Sequence, residues 1–309
     1  MRLVVLALAA AAVVSGLGAA PAPALPDPEA NLVEELVVQA RVGGPAWWRV
    51  EDGDTTVFIL GVPDSPLPPG AKWNTALLDK RLTGANVLIS RPVMQIGIGD
   101  IGTLLKLRKA LKTKKMEESL PPDLRARFVA ARTRLGRPAG RYADWSPILA
   151  GQRLVQDSRG GGKWANVDAQ VEKAAKKRKV KVRRAATYDG APFLKKAMTG
   201  LTPAVQNHCM KLALDDVESA GKLAPAGHAW TRGDVAGAVL APRSFDRCLL
   251  ELNGGVDVWR RSREDQVNAI AAAMAKPGHA VALVNLRTLV AEDGVVQRLR
   301  AQGFKVTGP

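Results

Sequence analysis

Between Pro45 and Leu67 the chain carries two short runs rich in apolar and β-branched residues, Trp47-Trp48-Arg49-Val50 and Thr55 to Leu60. They are joined by Glu51-Asp52-Gly53-Asp54, whose Asp-Gly pair supplies the positive φ of a tight connection, so the stretch predicts a hairpin. The second run is almost wholly apolar and stops at Gly61, leaving a polar loop, Gly61-Val62-Pro63-Asp64, beyond a buried strand. Trp73 to Leu82 sets Leu77, Leu78 and Leu82 on one helical face with Gly84 as the stop, and Val87-Leu88-Ile89-Ser90 reads as the next strand. Strand, helix and strand in that order build parallel sheets.

The far end of the chain repeats the pattern. Glu264 to Ala275 is a predicted helix with Val267, Ile270, Ala271 and Met274 inward, His279 to Val284 a strand, Asp293 to Gln302 a helix, and Phe304-Lys305-Val306 a closing strand. The middle is helical: Leu124, Phe128, Ala131 and Leu135 share one face before Gly136, and Trp145 to Val155 continues the layer until Gly160-Gly161-Gly162. Asn166-Val167-Asp168 opens another helix with Asp168 as its cap. Pro203 to Ala220 and Thr231 to Leu240 are further helices. The fold class is therefore α/β with an α+β mixture: a central mixed sheet built from N- and C-terminal strand-helix-strand halves, with a helical middle section.

Composition adds an address. Met1-Arg2, the apolar run Leu3 to Leu17 and the small residues Gly18, Ala19, Ala20, Ala22 and Ala24 have the order of a secretory signal peptide. The run falls short of the ~20 apolar residues of a spanning helix. A leader over 1–24, a linker and weak helix over 25–43, and one domain over 44–309 with a helical insertion at about 100–160 are the expected divisions. The expected location is periplasmic or secreted, with no transmembrane anchor in the mature protein. An oxidising compartment permits Cys209 and Cys248 to pair, and two separate buried thiols are the alternative.

A formal charge of +16 suits an anionic partner. Two runs concentrate it: Lys106 to Lys115, which reads as a basic amphipathic helix or as a solvated helix face, and Lys176 to Arg184. In the second, Val180 and Val182 alternate with the charges, which predicts a strand rim. No recognisable nucleic-acid module accompanies either, so no specific nucleic-acid partner is expected. Ile96-Gly97-Ile98-Gly99-Asp100-Ile101-Gly102 has the letters of a dinucleotide loop, but no acidic residue follows at the required distance and a basic helix does, so it reads as a loop. His208, His228 and His279 stand apart from one another, and no local spacing assembles a zinc site.

Taken together, Pro45 to Val50, Val57 to Gly61, the helix from Trp73, Ala85 to Ile89, Leu120 to Gly136, Asp168 to Val182 and Arg263 through Gly303 to Val306 resemble the TraB/GumN family in order and spacing. The resemblance runs from Gly44 to Val306. It implies a metal-dependent hydrolase fold related to the Tiki proteases and erythromycin-esterase-like proteins, with two Gly-x-x-His loops, acidic residues after neighbouring strands and a C-terminal Arg. This sequence departs at nearly every such position. Asp64 ends the first loop, Ser90 or Arg91 stands at the first acidic position and Ala186 near the second, and Asn285-Leu286-Arg287-Thr288 replaces the last Gly-x-x-His. Arg263 matches the Arg, with Glu264 beside it.

These departures imply no metal and no cofactor, and a cationic pocket lined by Asp64, Arg91, Arg263, Arg287 and Thr288 that binds an anionic ligand, peptide or envelope polymer. One rival is a surviving metal-dependent hydrolase, peptidase- or esterase-like, using Asp64 or Glu264 as base or ligand. The other is a basic surface protein attached to anionic lipid or polysaccharide through Lys106 to Lys115 and Lys176 to Arg184.

Overall fold

A computed structural model describes residues 27–40, 43–160 and 162–309; the expected leader over 1–24 lies outside them. The elements in chain order are β1 Trp47–Asp52, β2 Thr55–Val62, α1 Ala76–Leu82, β3 Leu88–Ser90, β4 Val93–Gln95 and α2 Ile101–Ala110. Then come α3 Met116–Ser119, α4 Pro122–Arg134, α5 Pro147–Ser158, α6 Val167–Lys177, β5 Val182–Arg184, β6 Thr187–Asp189 and α7 Gly190–Thr199. The chain continues through α8 Pro203–Glu218, α9 Leu223–Thr231, α10 Val235–Ala238, α11 Ser244–Glu251 and α12 Gly255–Met274. It ends with β7 Gly278–Asn285, α13 Leu286–Val290, α14 Val295–Ala301 and β8 Lys305–Thr307.

The fold is mixed α/β, as the hydrophobic pattern predicts. Six strands form one sheet in the order β5-β3-β7-β2-β1-β8, and β4 pairs with β6 in a separate ribbon. β7 runs parallel to both β2 and β3, and β5 parallel to β3. β1 runs antiparallel to β2 and to β8. The hairpin turns at Gly53, whose φ of +50° suits a residue without a Cβ. Ile59, Leu60, Val281 and Ala282 are fully buried because helices cover both faces of the parallel strands.

Gly61 is fixed by close packing: a Cβ there would meet Leu286 Cδ1 at 2.6 Å and the Trp48 ring at 3.0 Å. Its carbonyl accepts a 2.6 Å hydrogen bond from the buried Trp230 indole.

Two further clusters build the helical layer. Phe128 and Tyr142 meet edge-on between α4, α5 and α8. Cys209 of α8 and Cys248 of α11 form a disulfide inside the other.

Several expectations need correcting. In place of the weak helix over 29–42, the described residues hold one short 3-10 turn, Glu34–Leu36, flanked by backbone bridges Leu32↔Ala291 and Gln39↔Asp234. Valines 33, 37 and 38 favour this extended path over a helix. The helix expected over 231–240 is broken at Gly233, whose φ is +75°, and restarts as α10 under an Asp234 cap. α12 begins at Gly255, well ahead of Glu264, after Gly254 in a left-handed conformation. Asn166, rather than Asp168, caps α6, accepting from the Ala169 amide at 2.9 Å. The glycine-rich loop leads through a 3-10 turn straight into α2.

Candidate functional site

The carboxyl ends of β2, β3 and β7 lie side by side, with Val62 in register with Asn285. Open parallel sheets bind ligands at such ends. A cavity of about 830 Å³ lies there, walled by the residues that follow these strands together with α6, α11 and α12. Trp259 and Arg263 stand one helical turn apart on α12 and both face it.

Asp64, Arg91, Arg263 and Thr288 all line this cavity. Arg287 does not: it turns beneath, donating to the Val239 carbonyl and to the Glu29 carbonyl. Glu264, next to Arg263 on α12, is also absent from the lining. Burial, then the nearby Arg243, lowers the Arg287 pKa, and burial with nearby Arg298 lowers that of Arg263.

The cavity is not the cationic one that the substitutions suggested. Arg91, Arg184, Arg243 and Arg263 line it against Glu29, Asp64, Asp168, Glu172 and Asp246. Each of these arginines is already paired. Arg91 grips Asp168 through two nitrogens, with Nε to Oδ1 at 2.7 Å, and donates to the Asn285 amide oxygen. Arg184 bonds Glu172 at 2.6 Å and the Ser90 hydroxyl at 2.7 Å, and Ser90 in turn donates to Glu172. Arg263 lies over the Trp259 ring and meets Asp293 at 2.7 Å.

Arg243 holds two carboxylates, Asp27 and Glu29, the second at 2.8 Å. Glu29 is buried, 5 % exposed, and its carboxylate also accepts from the Thr288 hydroxyl and from the Trp259 indole at 3.3 Å. A segment that the sequence marks only as linker and weak helix thus delivers a cavity carboxylate held by three different side chains. No periodicity or motif announces it.

Asp64 and Asp246 are the remaining acids. Among the described residues no side-chain hydrogen bond engages either. Burial, reinforced by Glu29 and offset in part by Arg243 and Arg287, raises the Asp64 carboxyl to about 6. Asp246 is reached by solvent at the cavity mouth, yet the protein crowding it, together with Asp216, also raises its carboxyl to about 6. Asp216 sets this corner: its carboxylate accepts from the Ser244 and Phe245 amides at 2.6 and 2.9 Å and so anchors the start of α11. Burial raises its pKa too.

A family model for the TraB/PrgY/gumN family matches residues 46–308. The chain belongs to that family. No curated protein and no solved structure matches it significantly. The divalent metal implied by resemblance to the TraB/GumN family does not fit these residues. Among the described residues no group of three His, Cys, Asp or Glu side chains is arranged to hold an ion. The positions after β2, β3 and β7 carry Asp64, Arg91 and Thr288, and a guanidinium there donates hydrogen bonds but cannot coordinate a cation.

Proposed function

We propose that this TraB/PrgY/gumN-family chain is a non-catalytic, exported binding domain of the bacterial envelope whose cavity receives carboxylate groups of an anionic ligand, such as an acidic peptide. The observation that carries the reading is the seat of Glu29: a carboxylate held by Arg243, Thr288 and Trp259 inside the cavity. A guanidinium beside a hydroxyl and an indole N–H is an organised acceptor for planar anions.

Asp168 and Glu172, the partners of Arg91 and Arg184, sit on α6. Asp27 and Glu29, by contrast, arrive on an irregular segment and are the carboxylates an incoming ligand can exchange with. Export is supported by the leader-like pattern over 1–24 and by the buried disulfide, which suits an oxidising compartment. Amino-terminal sequencing of protein recovered from the periplasm should begin near Leu25; recovery of intact Met1 in the cytoplasm would refute export.

The pocket reading is tested by melting the Glu29→Ala protein with a short Asp-Pro-Glu peptide. The peptide should raise its Tm well above the shift given by sodium chloride at equal ionic strength, and should raise that of the parent less. Equal shifts from peptide and salt in both proteins would sink it.

A second reading is favoured by one observation, the pair of proton-retaining carboxyls Asp64 and Asp246 at the cavity wall. It is a metal-independent hydrolase with Asp64 as general base or acid. Peptidase or esterase turnover abolished by Asp64→Asn would support it, and turnover that persists in that variant would reject it.

A further inference from the structure

Of the eight large apolar side chains exposed among the described residues, three, Ile101, Leu104 and Leu105, stand on α2, and a fourth, Trp145, is bridged to Lys112 just beyond it. Ile101, Leu104 and Leu105 occupy i, i+3 and i+4 of α2 and therefore form one stripe along the helix. Leu105 is 60 % exposed and Ile101 54 %. α2 has no buried residue along its whole length, although it rests on α7. A helix of a water-soluble face would carry polar residues on that side.

Charge surrounds the stripe. Between Ile101 and Met116 there are six cations and no carboxylate. Lys106, Arg108, Lys109, Lys112 and Lys114 are exposed and make no ion pair within the described residues, and only Lys115 has one, with Glu118. The other basic run differs in having no large exposed apolar side chain among its charges, and two of its cations are paired, Arg178 with Asp79 and Arg184 with Glu172. A backbone bridge sets the half-exposed Trp145 opposite Lys112, so an amphipathic aromatic joins the cationic margin.

We infer that the face formed by α2, the Lys112–Lys115 turn and Trp145 docks on an anionic lipid bilayer, with Ile101, Leu104 and Leu105 entering the headgroup boundary and the lysines meeting lipid phosphates. An apolar stripe within a cationic rim matches that surface, where buried apolar area and headgroup attraction add. A nucleic-acid backbone would use the cations but leave the leucines in water. A tryptophan at the rim suits the interface between headgroups and acyl chains. No described helix is long and apolar enough to cross a membrane, so the contact is one of lying on the surface. This inference is independent of the cavity and of what the cavity binds.

The test is co-sedimentation of the full chain with phosphatidylglycerol-containing vesicles and with pure phosphatidylcholine vesicles, beside the variants Leu104→Glu/Leu105→Glu and Lys106→Glu/Lys109→Glu. All four substituted side chains are exposed, and an unchanged Tm verifies that the variants fold. The parent should partition onto the anionic vesicles about tenfold or more above the neutral ones, and each double variant should lose about tenfold. Absence of binding to anionic vesicles overturns the inference, as does equal binding to both lipids. Full binding by Leu104→Glu/Leu105→Glu also overturns it, because charge alone would then explain the attraction.

Discussion

The two ends of the cavity solve the same electrostatic problem differently. At the β3 end every charge has a partner on regular structure: Arg91 with Asp168 and Asn285, Arg184 with Glu172 and Ser90. At the β2 end, Arg243 is shared among Asp27, Glu29 and the field of Asp64 and Asp246, and those last two carboxyls keep protons to about pH 6. One end is a closed network with no group left to offer. The other holds a carboxylate on an irregular segment and two titratable ones, and the proposed ligand exchange is placed there. The charged residues around the cavity therefore form not a uniform positive patch but a neutralised wall facing a responsive one.

The sharpest way to break this contrast is Arg243→Ala. It strands the buried Glu29 carboxylate, and removing one member of a buried ion pair should cost about 3 kcal/mol in a urea titration. Next is pH. Asp64 binds its proton more tightly folded than unfolded, so stability should fall as pH rises from its ordinary value of 3.8 to about 6, and stay low above it. For a partly solvated group the change is about 2 kcal/mol. Asp246 titrates in the same window, so Asp64→Asn should remove about half of the observed slope, and an unchanged slope would move the titration elsewhere.

At the closed end, Arg91→Lys keeps the charge but loses the two-pronged grip on Asp168, with an expected loss of about 1.5 kcal/mol in a thermal melt. The smallest effect expected is from Thr288→Val, which removes one donor to Glu29 and should cost about 1 kcal/mol. It should also speed proteolysis of the 27–40 segment. If Arg91→Lys proves costlier than Arg243→Ala, the assignment of the responsive end is reversed.

Much of the sheet was legible because its signals are local. Apolar runs of strand length at 57–60, 87–90 and 279–284, with glycines beside them, leave little choice of element. The cavity at the strand ends also followed from where β2 and β3 stop. The wall chemistry did not follow, since it depends on contacts between distant segments. Asp168 looks like a helix cap, and Asn166 two residues earlier has the same competence; only the proximity of Arg91 decides which does what. Glu29 sits in a segment whose conformation is set by docking against Val290 and Gly233 rather than by propensity. Arg243 and Asp246 flank a helix start fixed by Asp216, some thirty residues away. The length of α12 was hidden because its first turns face the cavity and so lack the apolar repeat of a core helix.

The place of β7 between β3 and β2 has a kinetic consequence. Both neighbours are completed in the first third of the chain, yet neither has its central partner until residues near the other terminus arrive, about two hundred residues later. Closing contacts of that span is slow, and until it happens Val57 to Leu60 and Leu88 to Ile89 present unpaired, apolar strand edges. A chain synthesised from its amino end cannot assemble this sheet progressively, so the polypeptide stays open until synthesis is nearly finished. Shortening the chain before Gly278 should yield an aggregating polypeptide rather than a smaller folded unit.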